Sequence, residues 1–350
     1  MPSDIVLGWD LGGAHLKAAA VDRSGKVLWV RQLPCPLWLG LEHLDRAVTD
    51  VLEEQPDARR HAVTMTGELT DFFRNQAQGV TGILTRFGKR VPAGRTLVYA
   101  VLSGFFTPQR AAKNPEEVAS ANWAASAQLV ASCVPDALFV DIGSTTADIV
   151  PIRDGKLAVR GYSDYERLAC EELVYTGIVR TPVIALTDRI PFEGNWIAPM
   201  AEYFATTADV YRLTGELPEG ADQLPAADNG GKTVRDSARR LARMIGRDVE
   251  SAPLSAWRQC ARHLAEVQIQ KIRQACDRVL SHAEIAERAP LVGAGVGRFL
   301  VNKLAARFSR RYRDFDDLVD TAPDVASWAS SCAPAVAVAV LAQARMRKRT

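Results

Sequence analysis

The sequence predicts an α/β protein built as two lobes around a shared cleft, and three observations carry that expectation. At 350 residues the chain exceeds the usual size of a single hydrophobic core. Short apolar runs of strand character alternate with segments of helical periodicity, the pattern of sheets covered by helices. An acid–glycine frame also occurs twice, as IVLGWDLGGAHLKAAAVD at 5–22 and as FVDIGSTTADIVP at 139–151. Each frame reads as strand, tight turn, strand, and each is followed by a glycine-containing turn into a third strand.

The elements follow in order. IVLGWDL, HLKAAAVD and KVLWVRQL are the first three strands, with DRSGK as the second turn. Leu41, Leu44, Val48, Val51 and Leu52 recur at helical spacing and predict a helix over 41–54. HAVTMTGEL reads as a strand, TDFFRNQAQGVTGILTRF as a helix and RTLVYAVLSGFF as one strand. NPEEVASANWAASAQLVAS reads as one helix, opened by Pro115 with Glu116 and Glu117 in its first turn. ALFVDIGS, TTADIVPI and LAVRGY then repeat the opening three strands. Residues 218–233 are turn-rich and predict a surface loop or insertion. Two helices follow, TVRDSARRLARMIGRD and the long segment from Leu254 to Glu284. RAPLVGAGVGRFLVNKLAARF gives a buried strand, a glycine-rich turn and a helix. The expected lobes are 1–131 and 132–350, with an insertion near 215–255 and a final helix over 325–345 that crosses back onto the first lobe.

Composition narrows the function class. Hydrophobic residues make up 47% and charged residues 24%, ordinary for a globular enzyme, and the net charge of +2 gives no reason to invoke nucleic acid or an anionic membrane. No signal-peptide pattern or bilayer-length apolar stretch is present, so a cytoplasmic location is expected. The basic end ARMRKRT reads as the solvated last turn of a helix. Six cysteines lie far apart without a CxxC pair, which predicts reduced thiols, and the five histidines form no close ligand pair for zinc. Oligomeric state stays open, a homodimer being one arrangement the sequence allows.

The two frames carry the chemistry. In the first, Asp10 ends an apolar run, Gly12 and Gly13 allow backbone N–H groups to approach an anion, and Lys17 adds a positive charge. An acid at such a place meets a hydrated divalent cation more readily than a phosphate, which makes Mg²⁺ the expected cofactor and Asp10 and Asp141 its candidate ligands. In the second frame Gly143, Ser144, Thr145 and Thr146 offer amide and hydroxyl donors to phosphate oxygens, beside Asp141 and Asp148. Plain hairpins remain the alternative for both, the hydroxyls then bonding their own turn. Late in the chain Gly293, Gly295 and Gly297 form a GAGVG turn that either packs on a flat ligand or against a neighbouring helix.

An Asp-Gly-Gly hairpin, an Asp-Gly-Ser/Thr hairpin and a late glycine turn, in that order, resemble the acetate kinase, sugar kinase, Hsp70 and actin superfamily. That resemblance implies two RNase H-like lobes whose duplicated β-hairpin phosphate loops face an interlobe cleft, with the third element as an adenosine loop. GWDLGGAHLKAA, TMTGELTDFF, ANWAASA, DIGSTTADIVPI and LVYTGIVRTPV resemble more narrowly the hydantoinase/oxoprolinase-related proteins of tetrahydromethanopterin-linked C1 transfer. These are similar to the archaeal synthase of methanofuran assembly. The resemblance implies joining an aminomethylfuran diphosphate to the phenol of a glutamyl-tyramine, with release of diphosphate, to give a methanofuran or methylofuran carrier.

For that reaction a base is needed, since a phenol has an ordinary pKa of about 10. Glu68 and Asp71 in TGELTD are candidates, with Asp148 behind them; Glu68 is alternatively an acid in the first turn of a helix. Arg180 in YTGIVRTPV is expected either to meet a carboxylate or phosphate, or to bridge the lobes. ANWAASA around Trp123 reads as a small-residue helix face under the hairpins, and Phe72 and Phe73 as core. Two other classes stay in view: an ATP-dependent small-molecule kinase or ATPase using GAGVG for adenine, and a non-catalytic nucleotide-binding or assembly protein. The partners expected are thus a small-molecule diphosphate, or ATP, and a phenolic amine.

Overall fold

The computed structural model describes residues 5–55 and 58–347; the Lys348–Thr350 end of the basic tail lies outside them. The chain opens with β1 (Val6–Leu11), β2 (His15–Val21), β3 (Val27–Pro34), α1 (Glu42–Glu54), β4 (Arg60–Met65), α2 (Gln76–Phe87), β5 (Thr96–Ala100) and β6 (Gly104–Phe106). Next come α3 (Pro108–Lys113), α4 (Pro115–Val118) and α5 (Asn122–Cys133). Then β7 (Ala137–Ile142), β8 (Ala147–Arg153), β9 (Lys156–Leu157), α6 (Asp164–Cys170) and β10 (Leu173–Val174) follow. A helical layer with a small hairpin comprises β11 (Ile190–Phe192), β12 (Asn195–Ile197), α7 (Thr207–Thr214), α8 (Val234–Met244) and α9 (Leu254–Leu280). The chain closes with β13 (Leu291–Ala294), α10 (Arg298–Arg307), β14 (Tyr312–Asp314), α11 (Ala326–Ser331) and α12 (Ala333–Arg347).

The strands form two main sheets with one plan. The first has the order β3-β2-β1-β4-β5-β6, and the second β10-β8-β7-β13-β14 with β9 paired to β8. In each, the first two strands are an antiparallel hairpin and two later strands join parallel to its first strand. Alternation along the strands then sorts the faces. Leu7, Trp9 and Leu11 join one lobe's outer core, and Leu138, Val140 and Ile142 the other's. Val6, Ala19, Ala137, Phe139, Val150 and Ile152 share a third core with α5 and α12, between the sheets. Asp10, Lys17, Asp141 and Asp148 have the parity of that inner face, so period two alone aims all four at the interlobe space.

The final helix makes that layer possible. A Cβ on Gly8 would lie 1.9 Å from the Ala335 carbonyl oxygen, so α12 rests directly on β1. Gly8→Ala is therefore expected to destabilise the fold by about 3 kcal/mol, since neither backbone can yield cheaply, and urea unfolding checks this. An unchanged midpoint would mean that α12 does not sit this close. At the far end of α12, Arg345 bonds the Phe105 carbonyl at 3.3 Å instead of standing free in water.

Several local expectations are corrected. The helix after β4 starts at residue 76, because the Asn75 side chain accepts from the Gln78 amide at 2.9 Å and caps it there. Residues 66–75 form turns, and Phe72 is 49% exposed and outside the core. The single strand 95–106 folds into the β5–β6 hairpin. The helix beginning at Pro115 breaks after Val118, where Ser120 takes φ +47°, and resumes at Asn122. The third strand of the second frame stops at Leu157, because the amides of Arg160 and Gly161 leave the sheet to bond the Glu172 carboxylate at 2.7 and 3.2 Å. The last helix is two, divided at Cys332.

Candidate functional site

The two hairpins are equivalent position by position. Asp10 pairs in register with Lys17, and Asp141 with Asp148. The turns close alike, with the Gly12 amide on the His15 carbonyl at 3.1 Å and the Gly143 amide on the Thr146 carbonyl at 2.9 Å. A Cβ on Gly12 would lie 2.6 Å from the His15 oxygen, and one on Gly13 would lie 2.7 Å from the Thr70 methyl. Both tips open onto a cleft of about 400 Å³. Gly12, Gly13, Lys17, Asp10, Asp71, Asp141, Gly143, Ser144, Thr145, Thr146, Asp148 and Arg180 all line it.

The electrostatics are strained. Lys17 Nζ lies 3.7 Å from Asp10 Oδ2, while Asp10 Oδ1 is buried with no partner among the described residues. Burial raises the Asp10 pKa above its ordinary value despite Lys17. Burial also pushes Asp141 up to about 7, helped by Asp148 and Asp10 and opposed by Lys17. Burial works against the Lys17 ammonium, but Asp10 and Asp141 outweigh it and hold its pKa high. His15 has an unpartnered, buried Nε2, and burial with Lys17 and Arg180 lowers its pKa to about 4, so it is neutral at pH 7. Five carboxylates (Asp10, Asp71, Asp141, Asp148, Asp164) face three cations (Lys17, Arg167, Arg180) across the cleft.

Arg167 and Arg180 occupy different settings. Arg167 is 1% exposed; its guanidinium bonds Asp148 Oδ1 at 2.8 Å and the Glu172 carbonyl at 2.9 Å, and lies 3.9 Å over the Trp123 ring. Arg180 stacks over Trp38 at 4.7 Å and reaches Thr145 Oγ1 at 3.5 Å. Its segment is fixed from behind. Gln268 donates to Thr176 Oγ1 and to the Gly177 carbonyl, both at 2.8 Å, and accepts from the Tyr211 hydroxyl at 2.6 Å. The amides of Val179 and Arg180 close onto the Ser144 carbonyl at 3.1 and 2.9 Å, so YTGIVRTPV braces the second hairpin. Trp38, Leu69 and Tyr175 supply an apolar rim, Tyr175 being 68% exposed.

Two groups singled out from the sequence lie elsewhere. Glu68 is fully buried beneath the cleft wall; its Oε1 accepts from the Ser120 amide and hydroxyl at 3.0 and 2.9 Å. Gly293, Gly295 and Gly297 are not among the residues lining the cleft. Their turn packs behind the second hairpin, where a Cβ on Gly295 would lie 2.4 Å from Asp141 Oδ1 and one on Gly297 would lie 2.5 Å from the Ile142 side chain. Conversely, His15, Trp38, Ser120, Asp164 and Arg167 enter the cleft without having been singled out. Only the S-D-Y-E capping box at Ser163–Glu166, which places Asp164 and Arg167 on one short helix, was readable beforehand.

Could these residues hold Mg²⁺? Among the described residues no group of three or more His, Cys, Asp or Glu side chains is close enough to form a metal cage. Mg²⁺, however, keeps several waters and is bound through one or two carboxylates plus substrate phosphates. The unpartnered Asp10 Oδ1 and the uncompensated Asp141 fit that mode.

Paired hairpin sheets with α5 and α12 between them, and both hairpin tips on one cleft, define the two-lobed fold of the sugar kinase, Hsp70 and actin superfamily. The nucleotide-free structure of acetone carboxylase shares this fold, with a TM-score of 0.52 at 11% identity, covering 85% of this chain and 66% of that one. The chain belongs to the hydantoinase/oxoprolinase family, whose model matches residues 59–344. A curated relative from Methanocaldococcus jannaschii, (4-{4-[2-(γ-L-glutamylamino)ethyl]phenoxymethyl}furan-2-yl)methanamine synthase, is 33% identical over 248 residues, 70% of this chain and 73% of the relative. The Methanococcus vannielii protein of the same name is 36% identical over 112 residues, 32% of this chain and 50% of its own.

Proposed function

We propose that this protein is an ether-forming transferase of methanofuran or methylofuran assembly, joining an aminomethylfuran diphosphate to the phenol of a glutamyl-tyramine and releasing diphosphate. The observation that carries this reading is the Methanocaldococcus jannaschii synthase, whose likeness runs along most of both chains. The cleft suits the chemistry. Five carboxylates against three cations would repel a bare diphosphate, and bound Mg²⁺ reverses that sign and neutralises the leaving group. Asp10 and Asp141 are the residues that would hold the ion. Lys17 and the donors of Gly12, Gly13 and Gly143 to Thr146 would cradle the phosphate oxygens. Trp38 and Tyr175 offer faces for the furan and phenol rings, and Arg180 stands between them and the second hairpin. Asp71 is exposed at the rim, and Asp148 is engaged by Arg167, so neither is a ready base.

An ATP-dependent kinase on this fold would use the GAGVG turn for adenine, and that turn lies behind Asp141 and away from the cleft lining. No helix among the described residues is long and apolar enough to cross a membrane, and all six cysteines are free, in keeping with a cytoplasmic enzyme. The test is release of diphosphate by purified protein with Mg²⁺. Release is expected only when the furan diphosphate and the phenolic amine are both present. Turnover of ATP without that coupling would reject the synthase in favour of the kinase.

A further inference from the structure

One hydroxyl serves two carboxylates beside the cleft. Ser120 Oγ lies 2.9 Å from Glu68 Oε1 and 2.9 Å from Asp164 Oδ2. A serine hydroxyl carries a single hydrogen, so it donates to one of them only. The other contact needs a proton on the carboxyl, and the pair therefore holds one proton between them. The geometry is enforced. Ser120 sits at φ +47° in the break between α4 and α5, an uncommon conformation for a residue other than glycine. Its backbone N–H donates to the same Glu68 oxygen at 3.0 Å, and a Cβ on Gly79 would lie 2.2 Å from the Glu68 carbonyl oxygen. Glu68 is sealed from water, and its Oε2 has no partner among the described residues. Asp164, on the first turn of α6, is the end of the pair that lines the cleft.

We propose that Asp164 is the base that takes the phenol proton, and that Ser120 and Glu68 are positioning residues that keep the shared proton on the buried side. This rests on the synthase reading. The phenol O–H bond breaks and its proton goes to the Asp164 carboxylate. The freed electron pair on oxygen forms the C–O bond to the furan methylene carbon. The bond from that carbon to diphosphate breaks, and diphosphate leaves with the electron pair. The carboxyl pair then holds two protons and returns one to water after the ether departs. The charges facing Asp164 are Asp148 from β8 and Arg167 from its own helix; Glu68 in turn faces Asp164. Burial favours a neutral Glu68, raising its pKa to about 7, which leaves the charge at the cleft end.

The experiment follows diphosphate release against pH for wild type, Asp164→Asn, Ser120→Ala and Ser120→Thr. Asp164→Asn is expected to lower kcat/KM about 100-fold with the tyramine phenol, and far less with a ring-fluorinated phenol already ionised at the assay pH. The Ser120 hydrogen bond lowers the Asp164 pKa. Its loss in Ser120→Ala therefore moves the acidic limb of kcat/KM to higher pH, and Ser120→Thr restores it. An Asp164→Asn rate within threefold of wild type, or equal deficits with both phenols, overturns the assignment. Should Asp164→Asn fail to fold, an unmoved acidic limb in Ser120→Ala overturns it. Wild type that releases no diphosphate with both substrates present rejects the synthase reading itself, a result distinct from a failed base.

Discussion

Replacing Asp10 or Asp141 by asparagine is expected to lower diphosphate release by about 10³-fold while the melting temperature of the metal-free protein stays within a few degrees of wild type. The reasoning joins burial to register. Both acids are held in strands whose backbone ladders do not depend on the side chain, and asparagine is isosteric. Asp10 Oδ1 has no partner to lose, and burial already opposes the charge of both groups. Removing a buried, uncompensated charge does not cost stability. Removing the hard oxygen that a divalent cation needs does cost turnover. Two melting curves per variant separate the roles. Mg²⁺ with diphosphate is expected to raise the wild-type midpoint by ligand linkage and to leave both variants unmoved. A large drop in the metal-free midpoint of both variants would mark the acids as structural.

Arg167→Met is expected to destabilise the protein by about 3–5 kcal/mol, because it leaves a desolvated carboxylate without its partner. The guanidinium is 1% exposed and makes three contacts at once: Asp148 Oδ1, the Glu172 carbonyl and the Trp123 ring. A lysine has no planar fork to meet them together, so Arg167→Lys is expected to recover little. Adding Asp148→Asn to Arg167→Met removes the stranded charge and is expected to restore about half of the loss. Urea midpoints measure all three. If the single and double variants unfold at the same midpoint, the Asp148–Arg167 pair contributes nothing. The pair also sets a limit on chemistry, since a carboxylate so engaged gives up its ion pair when it accepts a proton.

Much of the architecture was legible because it rests on short-range rules. Glycines at 12 and 143 mark where each hairpin turns, and period two puts Asp10, Lys17, Asp141 and Asp148 on one face. Where the reading failed, the deciding contact was distant in sequence. Nothing local in NPEEVASANWAASAQLVAS shows that the helix must break at Ser120 so that its hydroxyl meets Glu68 and Asp164. LAVRGY has the composition of a strand, but its amides are drawn away by the Glu172 carboxylate, a residue beyond the next helix. GAGVG has the glycines of a ligand loop, and the packing of Gly295 against Asp141 gives those same glycines another task.

By itself, then, the sequence determined the duplicated hairpins, the acids and donors at their tips and the family that combination belongs to, since each follows from residue spacing along one strand pair. Only the tertiary structure decided which acids are free to act. It tied Asp148 to Arg167, sank Glu68 beneath the wall and brought Asp164 in from the second lobe. A carboxylate's role is set by burial and by what faces it, and those neighbours come from segments that meet only when the chain folds.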